Sequence, residues 1–340
     1  MGIIIRKSGL FTTIQDYGRV GYQEFGFSVC GVMDKRSARI ANMLVDNSRY
    51  EAVLEITING PIIEFTESNI IAITGGDFKA KINDKKVNRN EAILVKEGDV
   101  LSFEYARTGS RGYIAFAGGL AVEKAMGSKS TDTRCKIGGF KGRALKAGDY
   151  IKFEKPKDYL PNFLSRKVKV IDKVSNHANL RVVLGPQDNY FTEKGIKTFF
   201  TETYTVTNEF DRMGYRLDGA VIEHKSEADI ISDGIAFGAV QVPSHGRPII
   251  MLADRQTTGG YSKIGNIISV DIPKLVQRKP GDTIPFKYIS LKEAQKLCRD
   301  ERMFFRKLRD DIHKPCIEIL EPRNTSKKIE ENLLKGSCPF

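Results

Sequence analysis

Three polar stretches of this 340-residue chain hold residue types that can do chemistry. The densest is "DRQTTGGY" (254–261), in which Asp254, Arg255, Gln256 and Thr257 directly follow the apolar run Ile249 to Ala253, and Tyr261 closes the segment. A buried strand ending in an acid, a guanidinium, an amide and two hydroxyls must satisfy them internally or hold a ligand that does so. Gly259-Gly260 would let a ligand approach the backbone closely. The alternative is a hairpin corner sealed by its own hydrogen bonds. Gln241 stands just upstream in the same segment.

The second stretch is "NEFDRMGYRLDG" (208–219). Arg212 and Arg216 are four apart, which puts both on one face of an extended strand. Two guanidiniums on one face suit a carboxylate or phosphate, because each planar fork donates two parallel hydrogen bonds. Otherwise they pair with Asp211, Asp218 or Glu223. The third stretch, "TIQDYGRVGYQEFG" (13–26), offers Gln15, Asp16 and Arg19 on a glycine-rich loop after a strand. It reads either as a site loop on a rigid scaffold or as a loop whose polar side chains cap its own backbone.

Standard signatures are missing. The sequence has no Walker-type phosphate loop, no dinucleotide fingerprint and no nucleophile elbow, and "GGFKGR" (138–143) lacks a helical continuation. Cys30, Cys135, Cys298, Cys316 and Cys338 are odd in number and far apart, which argues against a disulfide framework and fits a reducing compartment. His177, His224, His245 and His313 form no pair at ligand spacing, so no structural zinc is expected.

The elements that must position these residues are mostly strands. Alternation is clear in 53–65, 69–76 and 92–106, each ended by Gly, Asn or Asp. Asp34 can cap a helix with Ala38, Ala41, Leu44 and Val45 on one face, and Thr192 a second with Ile196, Phe199 and Phe200 inward. Ser290 and Glu293 form a capping box before a helix carrying Leu291, Ala294, Leu297, Phe304, Phe305 and Leu308, which Pro315 stops. A Gly-Asp turn feeding a strand recurs at 97–103, 147–153 and 280–286. "INGPIIEF" (58–65) echoes "LDGAVIEH" (217–224), and each is followed by an Ile-rich strand and a Gly-Gly turn. The shared order suggests two related β-barrel-like domains, at 1–155 and 168–290, then a helix over 291–314 and a polar tail over 315–340. The charged stretch 154–167 reads as the linker.

Hydrophobic residues at 41% and charged residues at 28% are ordinary globular values. The net charge of +12 is spread along the chain with acids interleaved, so solvated surface is favoured over nucleic-acid binding. No apolar run reaches the roughly 20 residues that span a bilayer. The first residues read as a strand and not a signal peptide, so no membrane association and a cytoplasmic location are expected.

"GLFTTIQDYGRVGYQEFGFSVCGVMD" (9–34), "ARIANMLVDN" (38–47), "LEITINGP" (54–61), "DRMGYRL" (211–217) and "DRQTTGGY" together resemble the biotin-dependent carboxyltransferase-like family. That family includes the C subunit of 5-oxoprolinase, allophanate hydrolase subunit 2, a sporulation-kinase inhibitor antagonist and part of urea carboxylase. The resemblance covers about residues 3–290. Cys30, Val32 and Ala220 depart from its pattern, and the tail beyond Pro315 has no counterpart in it.

The resemblance implies a mainly β chain of two cyclophilin-like barrels. It also implies that the chain is inactive without a B-type partner protein, with an A-type protein as a third component. The implied reaction converts 5-oxoproline, ATP and water to glutamate, ADP and phosphate. Under it Asp254, Arg255 and Gln256 are catalytic, and Gln15, Asp16, Arg19, Arg212, Arg216, Gln241, Thr257 and Tyr261 bind substrate. Arg212 and Arg255 would hold phosphate or the substrate carboxylate, Asp254 would help bind the magnesium of ATP, and Gln241 and Gln256 would orient the lactam amide. Two alternatives remain: a biotin-dependent urea or amide carboxyltransferase, with biotin carried on another polypeptide, and a non-enzymatic antagonist of a kinase inhibitor.

Overall fold

The computed structural model describes residues 1–169 and 179–315. The expected tail beyond Pro315 lies outside the described residues. The chain is mainly β, with four α-helices among the described residues.

In the first half the strands form two antiparallel sheets. One runs Tyr150–Lys152, Gly2–Lys7, Ile62–Phe65, Val100–Ser102, Lys81–Ile82, Lys85–Lys86; the other runs Phe11–Gln15, Val53–Thr57, Thr108–Phe116, Asn69–Asp77, Ala92–Val95. Alternate residues point to opposite faces of a strand. Ile3, Ile5, Ile63 and Phe65 of the first sheet therefore meet Ile14, Leu54, Ile56 and Ile114 of the second in one core. The five-stranded sheet is buried on its outer face too. There Val53, Ile70, Ala72, Tyr113 and Ala115 pack under α1 (Lys35–Leu44). Glu55 belongs to this outer face, which is why a charged residue ends up buried.

In the second half seven strands close into a barrel. Their order is Leu180–Leu184, Lys263–Ile267, Ala239–Gln241, Ile249–Met251, Gly214–Asp218, Thr203–Phe210, Thr283–Tyr288, and a parallel pairing of the first with the last completes the ring. The barrel expected in each half is thus a closed ring in the second and two facing sheets in the first. Leu180, Val206, Tyr215, Ile250 and Phe286 fill the ring, and α2 (Glu193–Thr201) adds Phe199 to the same core. Met33 of the first half also belongs to that core, as does Val276 of α3 (Ile272–Val276), so the halves share packing. A separate two-stranded arm, Asp229–Gly234 paired with Thr258–Tyr261, completes the second half.

The three Gly-Asp turns are one structure used three times. Gly98, Gly148 and Gly281 have φ of +85°, +89° and +87°. The following aspartate accepts from the amide three residues back in each case, at 2.8, 2.7 and 2.9 Å. Glycine is needed there because a Cβ disfavours that left-handed conformation. The two Gly-Gly pairs are different from the turns expected. Both lie inside strands, Asn69–Asp77 and Thr258–Tyr261.

Helix caps follow the sequence. Asp34 accepts from Ser37 N at 2.9 Å, Thr192 from Gly195 N at 2.9 Å, and Ser290 and Glu293 cap reciprocally. The last helix, α4 (Leu291–His313), ties the two halves together. Ala294 packs with Ile268 and Ile289 of the second half, whereas Phe305, Leu308 and Ile312 join the outer face of the first. Leu291, expected on the apolar side, is 61% exposed, since it precedes the first contact with the barrel. No helix among the described residues is long and apolar enough to cross a membrane.

Candidate active site at the junction of the halves

The three polar stretches meet where the halves join. Strand Phe11–Gln15 delivers the loop 16–33, which runs across to the barrel: Cys30 N donates to Ala253 O at 3.1 Å, and Ser28 Oγ to Arg255 O at 2.8 Å. Gly31 requires its φ of +88°, and a Cβ there would come 2.8 Å from Gly18 N. That tight return brings the Gly31 carbonyl to Arg212, whose Nη2 donates to it at 2.6 Å.

Arg212 is fully engaged. Its Nε and Nη2 donate to the two oxygens of Asp254 at 2.9 and 2.8 Å, and Nη1 donates to Glu55 Oε1. The other Glu55 oxygen accepts from Met33 N at 2.8 Å and from the Tyr113 hydroxyl at 2.9 Å. Burial would lower the Arg212 pKa, but the two carboxylates outweigh it and the net shift is upward. The same burial, together with Glu55, holds the Tyr113 hydroxyl well above its ordinary value. This network joins both halves through buried charge.

Both Asp254 oxygens are therefore taken, and a magnesium ion there would have to displace a bidentate guanidinium. Among the described residues no group of three His, Cys, Asp or Glu could hold a metal. The residues at this corner do not fit the metal-ligand role expected of Asp254. Arg216 is not brought to Arg212 either. It points to solvent from strand Gly214–Asp218 and pairs with Glu209 at 3.0 Å, because Arg212 lies before that strand and turns inward.

Asp16 is a structural hub. Its carboxylate accepts from Gly18 N, Ser128 Oγ, Ser130 Oγ and Lys129 N at 2.6–2.8 Å, pinning the loop 128–143 against the loop 16–19. Gln15 is likewise mated: it donates to Thr13 Oγ1 and Thr131 O and accepts from Gly31 N. The substrate-binding part expected of these two residues is taken up by holding loops together.

Arg19 differs. It is 1% exposed, yet its guanidinium makes one hydrogen bond, Nη2 to Ser130 O at 2.6 Å, while Nε and Nη1 have no partner. It forms no ion pair among the described residues. The cation lies against the glycine-rich loop, where a Cβ on Gly138 would come 2.6 Å from Nη2. Cys30 lies within electrostatic reach of it: burial pushes the thiol up, Asp254 and Asp132 push it further, and Arg212 and Arg19 pull it down. Arg255 is a second buried cation without a carboxylate. Its Nε donates to Ile235 O at 2.8 Å and Nη1 to Leu252 O at 3.1 Å, its Cζ stands 5.7 Å over the centre of the Phe237 ring, and burial lowers its pKa.

The remaining expected residues spread outward. Gln256 is exposed, Thr257 is half-buried with its carbonyl accepting from Ile235 N, and Tyr261 sits on the arm. Gln241 is buried beneath the arm with an unpartnered Nε2. Sequence reading missed Glu55, Ser130 and Lys263. Glu55 stood on the polar side of an alternating strand, and only the cover of α1 buries it. Lys263, two residues beyond Tyr261, was within sight of the motif.

A family model described as the carboxyltransferase domain, subdomain A and B, matches residues 25–288. The chain belongs to that family. It is 35% identical over 309 residues to the C subunit of 5-oxoprolinase from Escherichia coli K12, covering 91% of this chain and 98% of that one. It is also 35% identical over 297 residues to the C subunit of the Haemophilus influenzae 5-oxoprolinase, covering 87% and 94%. Among solved structures, the Kluyveromyces lactis urea amidolyase superposes with a TM-score of 0.83 at 28% identity, covering 95% of this chain and 20% of that one. The Arg212–Glu55–Asp254 junction and the 254–261 corner lie inside the matched span, and Arg19 lies just before it.

Proposed function

We propose that this chain is the C subunit of an ATP-dependent 5-oxoprolinase, converting 5-oxoproline, ATP and water to glutamate, ADP and phosphate. The observation that carries the reading is the buried, unmatched guanidinium of Arg19. A buried cation without a counter-charge is strongly unfavourable, by several kcal/mol. A substrate carboxylate would supply the missing charge and accept a charge-assisted hydrogen bond from Nε or Nη1, which lie on different sides of the guanidinium. Near full-length alignment to two proteins that carry that name supports the same substrate.

The chemistry suits such a site. Amide resonance keeps the five-membered lactam a poor electrophile. Transfer of the γ-phosphoryl group of ATP to the lactam oxygen removes that resonance, with ADP leaving. Water then adds to the ring carbon, and the C–N bond breaks with a proton passing to nitrogen to leave the side-chain acyl phosphate of glutamate. A second water cleaves that acyl phosphate to glutamate and phosphate. Positioning and charge stabilisation supply most of such a step. In this reading Arg19 holds the carboxylate and Arg255 faces the developing negative charge. The Arg212 network fixes the relative placement of the loops that carry them. The chain works with a B-type partner protein and an A-type protein in a cytoplasmic complex, and is inactive alone.

The Kluyveromyces lactis urea amidolyase likeness favours one other reading, a biotin-dependent carboxyltransferase, in which the same cations stabilise a ureido oxyanion. Co-expressing the chain with its partner proteins and following ATP consumption with a panel of lactams and ureas separates them. The expected result is turnover with 5-oxoproline that avidin does not inhibit. Turnover with urea alone, abolished by avidin, would replace this reading with the other.

A further inference from the structure

Beneath the arm lies a second pair of buried donors that the reaction as described does not use. Gln241 and Lys263 stand directly opposite each other on paired barrel strands. They are 2% and 5% exposed, and neither Gln241 Nε2 nor Lys263 Nζ has a hydrogen-bond acceptor. Buried donors are nearly always satisfied, so two on neighbouring strands mark a place that awaits an acceptor.

The surroundings say what kind. The carboxylate nearest Lys263 belongs to Asp233, whose Oδ2 stands 3.5 Å from Nζ. Asp233 is on the arm, exposed to solvent, and accepts from Gln187 Nε2 at 3.3 Å. The arm pairs with itself, and its outer strand Asp229–Gly234 is almost wholly exposed, with Ile231 at 96%. Gly259, on the inner strand, packs closely over Gln241: a Cβ there would lie 2.7 Å from Ile235 Cδ1 and 2.9 Å from Nε2. The arrangement is a floor with two unmet donors, a carboxylate held loosely above it, and a cover exposed along its outer strand.

We propose that Lys263 and Gln241 form an oxyanion site that takes a phosphate group, with Asp233 occupying its place until the ligand lifts the arm. A lysine ammonium is a compact point charge that binds phosphate from many directions, and the amide adds a directed donor. That the phosphate is carried by a nucleotide rests on the proposed reaction; that the site takes phosphate does not. Gln241 then contacts the phosphate-bearing ligand and not the lactam amide.

The test is calorimetric titration of the purified full chain with inorganic phosphate, and with acetate, at fixed ionic strength. Phosphate is expected to bind better than acetate. Lys263→Met should weaken phosphate by about tenfold or more, the scale of a charge-assisted hydrogen bond. Asp233→Asn should tighten it several-fold, because a competing carboxylate is removed from an exposed position. Opposite signs for the two variants distinguish a ligand site from a structural ion pair. Absence of phosphate binding, unchanged affinity in Lys263→Met, or weaker binding in Asp233→Asn would overturn the proposal. Loss of 5-oxoproline-dependent ATP consumption by the wild-type complex, with phosphate binding intact, would sink the reaction and leave this site standing.

Discussion

Arg212 and Arg19 are both buried arginines on loops at the same junction, and their surroundings are opposites. Arg212 donates to two carboxylates and a carbonyl, so its charge is neutralised inside the protein. Arg19 has one carbonyl and two idle nitrogens. Burial alone therefore does not mark a functional cation. What separates the two is internal compensation, and a buried cation that lacks it is held at a cost that a ligand's charge would relieve.

The contrast predicts its largest effect at Arg212. Arg212→Ala leaves the buried Glu55 and the half-buried Asp254 without their cation, and should destabilise the chain by about 3–5 kcal/mol. Arg216→Ala, four residues on, removes an exposed pair with Glu209 and should change stability by no more than about 0.5 kcal/mol. Chemical denaturation measures both, and similar losses would mean that the junction network is not what holds the halves.

A smaller, pH-dependent effect is expected at the compensated pair on the barrel's flank. Arg181 Nε and Nη2 each donate to Asp271 at 2.7 Å, and Lys274 pairs with it at 2.7 Å. Burial raises the Asp271 pKa, but its partners outweigh that and the net shift is downward. A carboxyl whose folded pKa lies below its unfolded value of about 3.9 adds stability that is complete above that value. The contribution disappears as pH falls through the folded pKa. Asp271→Asn should thus lower stability near neutral pH and flatten its decline below about pH 4. An unchanged acid limb in the variant would mean that Asp271 has no part in acid unfolding.

Much of the scaffold was legible in the sequence because it depends on local rules. The caps at Asp34, Thr192 and Ser290 and the repeated Gly-Asp turns need only neighbouring residues, and the structure shows them as read. The site was legible as a set of segments but not as a set of roles. Whether Asp16, Asp254 or Arg212 is free depends on partners more than a hundred residues away for Asp16, 157 for Arg212 with Glu55 and 42 for Arg212 with Asp254. Alternation cannot report such partners. Arg212 and Arg216 misled for a related reason: the shared face assumed one continuous strand, and the strand begins only at Gly214.

The decisive measurement is the kinetics and stability of Arg19→Met in the reconstituted complex. Methionine keeps much of the volume and removes the charge, so stability should not fall and should rise, by up to several kcal/mol, because an uncompensated buried charge is removed and no internal ion pair is lost. The KM for 5-oxoproline should rise by about tenfold or more, the scale of a lost charge-assisted pair. A folded variant with the wild-type KM for 5-oxoproline would contradict the assignment of Arg19 as the carboxylate's partner.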